Sequence, residues 1–161
     1  MNLKLLKYNV MVRKIKFRWK DIDTGKWVYG FLSFFYTAGR DENGLIFTDK
    51  ARIYSPEDGC CYDVWAETVG QFTGKTDING KDIYNDDVVR VFTVEQSFNV
   101  VVKWSNDSMA FMACYVDGNQ SPFSWFTNLL VYELEVIGNV FDNHDLIIRN
   151  DNGDNTIREK A

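Results

Sequence analysis

Residues 14–20, Lys-Ile-Lys-Phe-Arg-Trp-Lys, alternate charged and apolar side chains without a break. Successive side chains of a strand point to opposite faces. Ile15, Phe17 and Trp19 therefore share one face, and Lys14, Lys16, Arg18 and Lys20 share the other. Asp23-Thr24-Gly25 supplies a turn, after which Trp27 to Phe31 returns as a second strand. The apolar run Phe31 to Tyr36 has no clear period and fits either a continued strand or a buried helical turn.

Further along, Leu45 to Phe47 reads as a strand and Pro56 to Cys61 as a loop. Asn79-Gly80 is a tight-turn signal, since both residues tolerate positive φ. Val88 to Val94 is a strand. A second alternating segment sets Phe98, Val100, Val102 and Trp104 on one face, and Asn106-Asp107 turns it back through Met109 to Val116. Ser121 to Leu130 has the spacing of a short helix with Phe123, Phe126 and Leu130 on one side. Leu134, Val136 and Ile137 form a last strand that breaks at Gly138-Asn139. Short strands joined by polar turns suggest a small antiparallel barrel in the second half, because closure removes vulnerable edges. Aromatics at 16% and only two prolines fit a sheet-rich core.

The charge is uneven. Residues 1–20 hold seven of the 18 basic groups and no acidic one, leaving 11 basic against 23 acidic groups in the rest, a balance of −12. Affinity for a nucleic-acid backbone comes largely from counterion release, so an acidic body argues against a general nucleic-acid binder. Lys14, Lys16, Arg18 and Lys20 remain the candidate binding surface, for phosphates or for the acidic body of a neighbouring subunit. A solvated strand face is the plainer alternative. No signal-peptide pattern and no apolar run of membrane-spanning length is present. Three cysteines, two of them adjacent, fit reduced thiols better than a disulfide scaffold. The expectation is a cytoplasmic protein.

Catalytic chemistry finds little support. His144, the single histidine, lies in Asp142-Asn143-His144-Asp145 without metal-ligand spacing around it, and Cys60-Cys61 lacks a partner pair. Asp77, Asp82, Asp86 and Asp87 do not follow a calcium-loop spacing and read as a solvated turn. A metal-dependent hydrolase using Asp86, Asp87 or His144 stands as an alternative that requires these groups to converge. Cys60, Cys61 and Cys114 have one histidine between them as an activating base. Gly70 to Thr76 ends in Gly-Lys-Thr, but Val69 stands where a phosphate loop needs its first glycine. No catalytic, cofactor or metal residue is assigned, and no cofactor is expected.

Four segments together resemble the YopX-like family of phage and prophage proteins. The first is Arg13 to Trp19 leading to Trp27-Val28-Tyr29-Gly30, and the second is Glu67 to Gly74. The third is Thr76-Asp77-Ile78-Asn79-Gly80-Lys81-Asp82-Ile83-Tyr84-Asn85-Asp86-Asp87-Val88-Val89-Arg90, and the fourth runs from Tyr132 to Asn143. The resemblance spans about residues 13–147. It implies a mainly β chain, a β-rich N-terminal part followed by an SH3-like small barrel with one or two short helices, and self-association. It implies no established activity. The corresponding division is 1–66, 67–148 and a polar tail over 149–161. Two departures stand out. Asn85-Asp86-Asp87 replaces the family's Glu-Gly-Asp, and His144-Asp145 follows Asn143 where Pro-Glu is usual. On this reading the protein acts by protein binding or self-assembly, as a homo-oligomer or with a host or phage protein. Nucleic-acid association through the basic strand is the runner-up.

Overall fold

The computed structural model describes residues 14–36, 39–40, 46–47, 50–127 and 133–147, the backbone alone at 34–36, 39–40 and 46–47. Lys4, Lys7, Arg13, Leu45, Leu130 and the tail over 149–161 lie outside this set. The strands are β1 (Phe17–Lys20), β2 (Trp27–Tyr36), β3 (Gly39–Arg40), β4 (Ile46–Phe47), β5 (Lys50–Tyr54), β6 (Cys61–Trp65), β7 (Gly70–Thr76), β8 (Asp82–Tyr84), β9 (Asp87–Phe92), β10 (Ser97–Ser105), β11 (Ala110–Cys114), β12 (Gln120–Pro122) and β13 (Glu133–Asn139). They form a six-stranded sheet of order β6-β5-β2-β1-β7-β8, a five-stranded sheet of order β12-β11-β10-β9-β13, and the small pair β3-β4. Every paired neighbour in the two main sheets is antiparallel.

The alternation over residues 14–20 becomes β1, a central strand with β2 on one side and β7 on the other. Trp19 is fully buried with Ala51, Ile53 and Val64, and Phe17, Val28, Leu32 and Tyr62 pack against them. The run that sequence left undecided, Phe31 to Tyr36, continues β2 and carries a register shift between Leu32 and Phe34. Ala51 and Ile53 point inward while Arg52 and Tyr54 point outward, a period of two that marks β5. The sheet curls until Asp21, just past β1, bridges to Val64 of β6. It draws β1, β2, β5 and β6 from before residue 66, and β7 and β8 from after it.

The five-stranded sheet buries Val89 and Val91 of β9, Val100 and Val102 of β10, Ala113 of β11, and Leu134 and Val136 of β13. Ile83 of β8 enters this same cluster, so the edge strand of the first sheet supplies a core residue to the second.

The expected SH3-like barrel is not formed. The five-stranded sheet is open, with β12 and β13 as its two edges. Its β13 edge is covered by the Asn79-Gly80 turn rather than by closure: Ile78 N–H donates to Leu134 O at 2.9 Å and Val136 N–H donates to Asp77 Oδ2 at 3.0 Å. Covering an edge with a turn answers the same hazard that closure would. The short helices are also absent among the described residues. Their place is taken by 3-10 turns at Ala66–Thr68, Phe123–Thr127 and His144–Leu146. Phe123 and Phe126, both buried, lie three residues apart, which matches three residues per turn and aligns both rings against the core. The last strand runs through Gly138 to Asn139, with a bulge between Val136 and Gly138.

One close approach fixes the packing of β2. A Cβ at Gly30 would collide with the Tyr54 carbonyl oxygen and meet Pro56 Cδ at 3.1 Å. The main-chain atom cannot swing aside. Gly30→Ala is therefore expected to cost about 1–3 kcal/mol, measured by urea unfolding; an unchanged midpoint would contradict this packing.

Candidate functional site: an ion-paired seam and an outer aromatic face

Alternation delivers Lys16, Arg18 and Lys20 to the face of β1 opposite Trp19, where each meets a carboxylate from beyond residue 66. Arg18 Nη1 lies 2.6 Å from Asp87 Oδ1, with the two side chains 6% and 0% exposed. Lys16 pairs with Asp82, and Lys20 with Asp142. Lys14 is exposed and has no ion pair among the described residues. Three of the four basic residues thus form a seam in which each cation meets a carboxylate, buried at Asp87 and nearer the surface at Asp82 and Asp142.

Arg18 is held from several sides. Its Nη2 donates to Asn85 O at 3.3 Å, and its guanidinium carbon lies 4.7 Å from the Trp27 ring centre and 5.1 Å from that of Tyr84. Such faces favour a guanidinium over an ammonium. Gly70 admits the close approach of the Asn85 carbonyl that Arg18 also meets, since a Cβ there would lie 2.8 Å from that oxygen. Asp87 uses Oδ2 to accept the Tyr84 N–H at 2.7 Å. The Oδ1 contact is a close ion pair rather than an aligned hydrogen bond, and Arg18 Nε is buried without a partner. Burial pushes the Asp87 carboxyl up, opposed by Arg18 and the Tyr84 N–H.

The carboxylates read as a solvated turn are joints instead. Asp77, 7% exposed, accepts from Asn79 N and Lys81 N at 2.8 Å as well as from Val136 N. Asp86 adopts φ of +66°, a left-handed conformation that glycine suits and that Asp tolerates. Its N–H donates to Val102 O at 2.7 Å and its carbonyl accepts Val140 N–H at 3.0 Å. Burial raises its carboxyl, opposed by Lys103 at 3.7 Å. Asn85 accepts Trp104 N–H at 2.6 Å. Asp142 collects Lys20, the Trp27 indole N–H at 2.8 Å and the Asn139 side-chain amide at 2.9 Å.

Chemistry beyond these joints is sparse. His144 is exposed in its 3-10 turn, and among the described residues no three His, Cys, Asp or Glu groups gather as metal ligands. Cys60 and Cys61 are exposed, and Cys114 is half-buried with its thiol pushed up by burial. Gly70–Thr76 is a paired strand rather than a phosphate-cradling loop. No described helix is long and apolar enough to cross a membrane.

Sequence reasoning missed the most distinctive surface. Register pairs Tyr29 with Arg18 and Phe31 with Tyr54, so these rings share the outer face of the first sheet. Tyr29, Phe31, Tyr54 and Trp65 are 46%, 53%, 42% and 40% exposed. Between Tyr54 and Trp65 runs a two-pronged ion pair, Arg52 Nε to Asp63 Oδ1 at 2.7 Å and Arg52 Nη2 to Asp63 Oδ2 at 2.9 Å. The signal was present in Trp27 to Leu32, where both faces of a strand are apolar.

Two outcomes test the seam. Asp87→Asn leaves Arg18 charged and buried, and is expected to cost about 3–5 kcal/mol. Adding Arg18→Met should recover part of that loss in urea unfolding, whereas strictly additive losses would show that the two groups do not interact. For Asp142, burial acts upward but is outweighed by hydrogen bonds from Lys20, Asn139 and Trp27 and by the Lys20 charge, which hold it at about 2 against an ordinary 3.8. A carboxyl depressed by folding contributes stability above its ordinary value and loses it as pH falls from there through the folded value. The side chain is 38% exposed, so screening limits the effect to about 1 kcal/mol or less. Asp142→Asn should lose less stability than the parent between about pH 4 and about pH 2; equal losses would contradict the assignment.

Comparison with known proteins places this geometry in context. The crystal structure of protein yopX from Bacillus subtilis is similar at 18% identity, covering 84% of this chain and 98% of that one, with a TM-score of 0.47. No curated protein matches the chain. The family model described as YopX protein matches residues 16–148, which include β1, the seam carboxylates and the last strand. The chain belongs to the YopX family of phage and prophage proteins.

Proposed function

We propose that the protein acts by binding, with the outer face of the first sheet as its contact surface and a second copy of the chain as its partner. The observation that carries this reading is that Tyr29, Phe31, Tyr54 and Trp65, all more than a third exposed, lie on the sheet face that also carries the Arg52–Asp63 pair. Aromatic residues and arginine are enriched in protein interfaces, and exposed apolar patches mark interaction sites.

Charge supports the same choice. The chain is acidic, so two copies repel unless their contact surfaces are neutral. Arg52 and Asp63 balance each other within the patch, and a two-fold contact brings like residues together without a net charge. The basic strand offers no comparable route, because Lys16, Arg18 and Lys20 are engaged within the chain.

Sedimentation velocity over a range of concentrations tests the reading. The parent should associate, and Phe31→Asp or Tyr54→Asp should weaken association about thirty-fold or more, as for truncation of an interface anchor. A parent that stays monomeric, or association indifferent to both variants, would overturn it.

A further inference from the structure

At one end of the first sheet, the turn joining β1 to β2 and the turn joining β5 to β6 enclose a cleft of about 260 Å³. Asp21, Glu57 and Asp58 line it, together with the rings of Trp27, Tyr29 and Tyr62, and Lys26 is the one basic residue in its wall. We propose that this cleft takes the lysine or arginine side chain of a bound protein, resting on the binding role assigned to the adjoining aromatic face.

Asp21 carries the inference furthest. It is 6% exposed, and its Oδ2 accepts from Thr24 N at 3.1 Å and Thr24 Oγ1 at 2.5 Å. Among the described residues no hydrogen bond reaches its Oδ1. A carboxylate buried except for one oxygen that opens to the cleft, and that nothing in the described chain uses, is a receptor for a donor. Glu57 is exposed and makes no hydrogen bond or ion pair among the described residues. Asp58 is organised by its neighbours: it accepts the Tyr62 hydroxyl and the Cys60 N–H at 3.0 Å. Those hydrogen bonds, the Tyr62 one first, hold its carboxyl below the usual range, and the same contact pushes Tyr62 up to about 12. Asp58 is accordingly charged at neutral pH.

Tyr29 and Tyr62 complete the chemistry, since the Trp27 ring already carries Arg18 and Lys20. A cation flanked by aromatic faces and met by carboxylates gains both ring-quadrupole and charge-assisted hydrogen-bond stabilisation. A metal ion would use the oxygens but not the rings, and a neutral side chain would leave the charges of Asp21, Glu57 and Asp58 without a cation from the partner. Tyr29 belongs both to the cleft and to the outer aromatic face. A basic side chain seated here would therefore lie at the margin of the same contact.

Titration of the full chain with N-acetylarginine amide, followed by the Trp27 indole and Glu57 and Asp58 amide resonances, tests the proposal. Saturable shifts at these positions are expected. The neutral N-acetylnorleucine amide should produce none, and Glu57→Gln and Asp21→Asn should each weaken arginine binding three-fold or more, with parental spectra confirming folding. Absence of saturation, equal response to norleucine, or an affinity unchanged in both variants would overturn it. Arginine binding to a chain that never associates would sink self-association alone; association in a chain that ignores arginine would sink the cleft alone.

Discussion

The fold turns on a buried ion pair, Arg18 with Asp87, which ties the central strand of one sheet to the first strand of the other. Taking both charges out of water is expensive, and their attraction repays it only when geometry is well defined. Here the guanidinium lies against Trp27 and Tyr84, Asn85 accepts one of its N–H groups, and the Tyr84 amide holds the carboxylate. The pair stabilises less through raw energy than through registration, because any other placement of β1 would leave a buried charge alone.

Three polar joints arrange the remainder around that pair. Asp77 and Ile78 clasp the β13 edge. Asn85 and Asp86 reach β10 and the segment after β13. Asp142, reached by Lys20, Trp27 and Asn139, fastens the end of the second sheet to the β1–β2 hairpin. Ile83 carries the apolar counterpart, leaving β8 to enter the neighbouring core. The sequence segments by which the chain resembles its family include these joints.

Much of the strand content was legible in the chain. The Asp23-Thr24-Gly25 turn and the second alternating segment became the elements expected, while the alternation of residues 14–20 became a strand only over Phe17–Lys20, with Ile15 exposed before it. The barrel failed because edge protection admits more than one solution, and side-chain capping by Asp77 leaves no trace in periodicity. The helix near residue 123 failed because an i, i+3 pair of phenylalanines suits a 3-10 turn equally well. Lys16, Arg18 and Lys20 each meet a carboxylate and Lys14 meets none among the described residues, a difference hidden from the sequence, which does not reveal what covers a face. The acidic groups that cover it are distant in the chain, at residues 82, 87 and 142. The aromatic surface escaped notice for a related reason: it depends on β2 lying beside β5, which pairs Phe31 with Tyr54.

On the proposed reading, Lys16, Arg18 and Lys20 serve the seam, and the outer aromatic face with its acidic cleft serves recognition. The most direct check is the side-chain NMR of Arg18 in the intact protein. The account predicts guanidinium protons that exchange slowly with water and hold their positions in about 1 M salt, where exposed charges are screened beyond about 3 Å. They should be equally indifferent to an added oligonucleotide. Rapid exchange, with shifts that follow salt or oligonucleotide, would show that the basic strand faces outward and would contradict the account.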